Sequence, residues 1–107
     1  MKCVRDSAEL EIWLRITERI ERSSAASHNA VTLRAAIAYA RSHFRYRLGR
    51  IKNPPQLSAR RRDQGLNDEL VAQIRRIVDE EHAVFLRAEA RGAAGAGSAT
   101  AKLLGIA

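Results

Sequence analysis

Residues 66–91, LNDELVAQIRRIVDEEHAVFLRAEAR, are the stretch whose reading decides the fold. Leu70, Ile74, Ile77, Val78, Val84, Phe85 and Ala88 recur at helical spacing and share one arc of a helix surface. Leu66 and Val71 bracket Asn67 as a hydrophobic staple brackets an N-cap, while Asp68 and Glu69 sit at the positive end of the helix dipole. The pattern predicts a helix over 67–91, stopped at Gly92. About seven turns is long for so small a chain, so this helix is expected to be the spine.

Upstream of that spine the sequence offers two further helices. Asp6 as N-cap with Glu9 at the third helical position reads as a capping box. Leu10, Trp13, Leu14, Ile16 and Ile20 then follow a helical period, which predicts a helix over 7–22. Its outer face carries Glu11 with Arg15 and Glu18 with Arg22, in the favourable acid-first order. Ser23, Ser24, Ser27, His28 and Asn29 read as a polar break. A helix over 30–48 comes next, capped by Asn29 and stopped by Gly49, with Leu33, Ile37, Ala40, Phe44 and Leu48 as its expected buried face. Residues 49–66 form a basic linker in which Pro54 and Pro55 forbid helix continuation. Within it Ser58 is placed to cap a short turn reaching Asp63, before Gly65 breaks it.

The expected fold class is therefore all-α: a small three-helix domain over residues 1–91 with a short fourth helical turn. Residues 92–107, rich in Gly and Ala, read as a flexible tail. The composition of helix formers and the scarcity of aromatics agree with that class. Broad apolar faces on the first and third helices leave room for a homodimer.

Charge is segregated along the chain. From Arg22 to Arg62 there is no Asp or Glu over 41 residues, against nine Arg and one Lys. The net charge of +7 thus comes wholly from the middle, because the flanks are net acidic. A contiguous positive surface favours approach of a polyanion. Arg34, Arg41 and Arg45 fall within about 40° of one another on the second helix, and are expected to edge its apolar face. Arg47, Arg50, Lys52, Arg60, Arg61 and Arg62 continue the charge through the linker. A guanidinium fork meets two phosphate oxygens at once, so these nine are the candidate nucleic-acid contacts. Tyr39, His43 and Tyr46 share another face of the same helix, where aromatic rings serve either base stacking or packing against a neighbouring helix.

Glu81 stands near the middle of the apolar arc of the long helix, where a lone carboxylate is costly. It is a candidate buried polar site, and a second-helix arginine is its expected partner. Chemistry finds little else. His28, His43 and His82 are scattered, no cysteine cluster or two-histidine helical spacing suits a metal, and no Gly-rich loop follows a strand. No catalytic residue, metal or cofactor is expected. The single cysteine, Cys3, excludes an internal disulfide and fits a reducing, cytoplasmic setting. Met1–Ser7 has no secretory pattern, and no apolar run approaches the length of a membrane span.

Residues 53–85, NPPQLSARRRDQGLNDELVAQIRRIVDEEHAVF, resemble the basic linker and helix that precede the catalytic core of insertion-sequence transposases. The shared features are the Arg-rich stretch, the capped helix ELVAQIRRI, and the acidic end followed by Val84-Phe85. The likeness covers about a third of the chain. Leu86–Gly97 departs from the family's usual glycine–arginine turn, and the Asp/Asp/Glu catalytic core does not follow. The resemblance implies a DNA-associated fragment or remnant without transposase chemistry, and implies no site residues.

The expected function is a non-catalytic nucleic-acid-binding or accessory protein that grips the phosphate backbone, with DNA and RNA both open. The alternative is a helical protein–protein adaptor or regulator, which would set the basic face on an acidic partner or dock through the apolar end of the tail.

Overall fold

A computed structural model describes the backbone of residues 4–97 and the side chains of residues 7–91. Those residues are all-α: α1 (Val4–Arg22), α2 (Ser24–Ser27), α3 (Ala30–Arg47), α4 (Ala59–Asp63) and α5 (Asp68–Gly97). The long helix α5 packs against both α1 and α3, and is the spine that its apolar arc predicts. Leu70, Ile74, Ile77, Val78 and Phe85 are buried along it, joined by both members of the staple, Leu66 and Val71. The Asn67 side chain accepts from the Leu70 amide at 2.8 Å, closing the cap.

Two further start signals, Asn29 and Ser58, act as their chemistry dictates. Asn29 accepts from the Thr32 amide at 2.8 Å, and Ser58 from the Arg61 amide at 3.3 Å. Glycine supplies the stops. At the end of α3 the Gly49 amide donates to Tyr46 O and the Arg50 amide to Arg45 O, and at the end of α4 Gly65 and Leu66 repeat the pattern on Arg62 O and Arg61 O. Each is a Schellman closure needing a left-handed residue, and both glycines have positive φ, 78° and 103°.

Four expectations need correction. First, α1 begins at Val4, so Asp6 lies inside the helix instead of capping it. A carboxylate is favoured in the first turn as it is at the cap, so the local sequence does not separate the two positions. Second, α1 buries Ile12, Ile16 and Ile20, and leaves Leu10 and Leu14 exposed. Third, the polar break holds the short helix α2, which buries Ala26. Fourth, α5 runs through Gly92 to Gly97, because the alanines among those glycines are the strongest helix formers and nothing there forces the chain to turn. The expected flexible tail beyond Gly97 lies outside the described residues.

A fifth difference bears on function. The buried residues of α3 are Thr32, Ala35, Ala36, Tyr39, Ala40, His43 and Phe44, whereas Leu33, Ile37 and Leu48 only pack on the core's margin. At about 100° per residue, the buried face lies a quarter-turn from the arc expected on hydrophobicity. Three alanines on that face let α3 approach its neighbours closely, and this favours the small-residue side over the bulkier aliphatic one.

Candidate nucleic-acid interface

The rotation of α3 reassigns its arginines. Arg34, Arg41 and Arg45 do not edge the apolar face; they stand opposite the buried one, at the centre of the solvent side, and all three are exposed. None of the three side chains has an ion pair or hydrogen bond among the described residues. Lys52 and Arg60 are likewise exposed and unpaired. No acid among the described residues is paired with any of these five cations.

The other four expected contacts are engaged within the chain. Arg47 forks onto Asp79 through Nε at 2.8 Å and Nη2 at 3.2 Å. Arg50, placed by the Schellman turn, grips Glu9 through Nη2 at 2.7 Å and Nη1 at 2.5 Å. Arg62 reaches Asp68 at 3.1 Å. Arg61 donates to Gln56 O at 2.7 Å and lies over the Tyr39 ring, 5.3 Å from its centroid. Arg75 lies over the same ring at 5.7 Å, so the tyrosine meets two guanidinium groups. Glu9 of α1 and Asp79 of α5 are far from Arg50 and Arg47 in sequence, which is why a reading of local charge overlooks them, whereas Asp68 lies only six residues beyond Arg62.

Of the expected aromatic cluster, Tyr39 belongs to the interior. Its ring is wholly buried, and its hydroxyl donates to Pro55 O at 3.0 Å while accepting from Arg75 Nε at 2.9 Å. The proline linker is thereby tied down onto α3. His43 is also buried, with Nε2 2.8 Å from Asp79 Oδ1 and Nδ1 without a partner. Burial lowers its pKa, against an opposing pull from Asp79. Burial would raise the Asp79 carboxyl, but hydrogen bonds from Arg47 and His43 outweigh it and hold the group below its usual range. His82 is lowered by burial and by Arg47 nearby. Tyr46 is half-buried beside His43 and Arg47, at 6.0 and 5.7 Å.

Glu81 is half-buried as its position requires, but its partner is not on α3. Arg19 of α1 donates through Nη1 to Glu81 Oε2 at 3.1 Å and through Nη2 to Glu80 Oε1 at 2.7 Å. The second carboxylate oxygen, Oε1, is buried without a partner. Arg19 was identifiable only as the one arginine of α1 between Ile16 and Ile20 outside both surface pairs. Those pairs form, Arg15 with Glu11 at 3.5 Å and Arg22 with Glu18 at 2.8 Å.

A groove of about 490 Å³ opens between the start of α1 and the end of α3, lined by Glu9, Leu10, Trp13, Arg41, Phe44, Arg45, Leu48 and Arg50. Trp13 and Phe44 stack in it, 6.1 Å apart and 12° from parallel. Among the described residues no group of three or more His, Cys, Asp or Glu could hold a metal ion, and no helix is long and apolar enough to cross a membrane.

Comparison with protein-family models, with curated proteins and with solved structures gives no match.

Proposed function

We propose that this chain is a non-catalytic nucleic-acid-binding or accessory protein that grips the phosphate backbone with the outward face of α3. The observation that carries this reading is the placement of Arg34, Arg41 and Arg45 at the centre of a solvent face, with no ion pair to any acid among the described residues. Lys52 and Arg60 extend the grip into the linker and α4. Phosphate contacts of this kind position a nucleic acid and carry little sequence information. The likeness of residues 53–85 to a transposase linker agrees with a DNA-associated role, and the lone cysteine with a cytoplasmic setting.

Fluorescence anisotropy of labelled duplex DNA at two salt concentrations tests the reading. Five phosphate contacts give a salt slope near −4.5, so affinity falls about 500-fold between about 50 and 200 mM salt. Replacing Arg34, Arg41 and Arg45 together by Ala leaves two contacts and cuts that fall to about twelvefold. Arg47→Ala, which removes a side chain already committed to Asp79, leaves the slope unchanged. No binding at low salt removes nucleic acid as the partner. The five cations then belong to an acidic protein, the adaptor reading, and Leu10, Leu14 and Leu86 offer exposed apolar area to such a partner or to a second copy.

A further inference from the structure

We infer that the groove between α1 and α3 receives an unpaired nucleobase, so that the protein prefers single-stranded nucleic acid, or an unpaired segment, to duplex. The inference rests on the phosphate-binding reading and adds to it a strand preference and a base site.

The groove's composition carries the argument. Its floor is apolar and aromatic: Phe44 is nearly closed off from solvent, Trp13 is half-buried against it, and Leu10 and Leu48 form the sides. Its rim is basic, with Arg41 and Arg45 one helical turn apart, about 6 Å along the axis. Both are exposed, and neither has an ion pair among the described residues. The single carboxylate in the lining, Glu9, is already neutralised by Arg50. An occupant must therefore join an apolar planar body to negative charge on either side of it, which describes one nucleotide of a strand with its flanking phosphates. Bases stack on aromatic side chains whatever their sequence, while the backbone tracks a positive groove. A paired base is held in its own stack and must be flipped out, at a cost, before it reaches such a site. A single strand meets no such cost. Duplex instead lies on the open arginines of α3 without entering the groove.

Trp13 is the one tryptophan of the chain, so its emission reports on the groove directly. The full chain is titrated with an unlabelled oligothymidine of about 12 nucleotides and with a duplex of equal length, with anisotropy followed in parallel. The single strand should quench Trp13 and bind on the order of tenfold more tightly than the duplex, which binds with little quenching. Leu10→Asn places a neutral amide on an already exposed position of the wall, away from the core, and adds no charge beside Arg41 and Arg45. It should abolish the quench and the preference while leaving duplex affinity within about threefold, as expected for a groove the duplex does not enter. Equal affinities, or single-strand binding with Trp13 emission unchanged, overturn the base site and leave the phosphate-binding reading standing. Failure of both nucleic acids to bind overturns both. Quenching by an acidic amphipathic peptide but not by the oligonucleotide overturns the inference and gives the groove to a protein partner.

Discussion

Gly65→Ala should be far more damaging than the same change at Gly49, the other glycine with positive φ among the described residues. Gly65 holds φ at 103°, and a Cβ built there lies 2.2 Å from Thr32 Oγ1 and 3.2 Å from Thr32 Cβ. Thr32 cannot retreat, because it is buried in the first turn of α3 with its hydroxyl donating to Gln64 O at 3.1 Å. The backbone conformation alone costs about 1–2 kcal/mol for a residue with a Cβ. Driving Thr32 off its acceptor leaves a buried hydroxyl and carbonyl unpaired, for about 1–3 kcal/mol more. The sum is about 2–5 kcal/mol, which lowers Tm by at least about 8 °C in a domain near this size. Gly49→Ala is the internal control. Gly49 has φ of 78° but nothing within 4 Å of the added carbon, so only the conformational cost remains. Urea unfolding followed by circular dichroism should separate the two variants by about 2 kcal/mol. Thr32→Ala in the Gly65→Ala background should recover about 1–2 kcal/mol, a coupling visible in a double-mutant cycle. Equal destabilisation at the two glycines, or additivity between positions 32 and 65, would refute the steric argument.

The Arg19–Glu81 pair should respond asymmetrically. Glu81→Leu removes a carboxylate with one buried, unpartnered oxygen and should match or exceed the parent's stability in urea, whereas Arg19→Met strands that carboxylate and should cost about 1–2 kcal/mol. Acid should weaken the fold in two stages. His43 and His82 have lowered pKa values, so the unfolded chain takes up more protons: their contribution is complete above about pH 6.5 and is lost as pH falls through the folded values. Asp79, also lowered, adds a second loss beginning only as pH falls below about 4. Tm measured from about pH 8 to about pH 5 should therefore fall, and His43→Gln should flatten the decline; a Tm that rises on acidification would contradict this assignment.

What the sequence made legible was local. Asn67 with Leu66 and Val71, Asn29 before α3, Ser58 before α4, and Gly49 and Gly65 behind them all act as expected, because caps, staples and left-handed turns involve groups only a few residues apart. The rotation of α3 was not legible. Hydrophobicity points to Leu33 and Ile37, but burial went to Ala35, Ala36 and Ala40, since the depth to which a helix sinks depends on how closely its neighbours can come. Gly65 shows the boundary well. That a glycine is needed there follows from the turn, but that Thr32 sits against it follows only from α3 crossing the turn.

The charges obey the same division, and this shapes the functional reading. A run of ten cations without a local acid suggests one continuous positive surface. Folding divides it: Glu9, Asp68 and Asp79 arrive from other helices and take Arg50, Arg62 and Arg47, while Arg61 turns inward over Tyr39. The neutralised cations lie where elements meet, at the ends of α3 and α4, and act as fastenings between helices. Arg34, Arg41 and Arg45 escape because they stand opposite the buried face, where no acid among the described residues pairs with them, and a quarter-turn in α3 is what put them there. Had α3 buried Leu33 and Ile37, the three arginines would edge the core within reach of acids from its neighbours. The choice of alanines over larger residues on one side of α3 thus fixes both how tightly the bundle closes and which cations remain free to meet a phosphate.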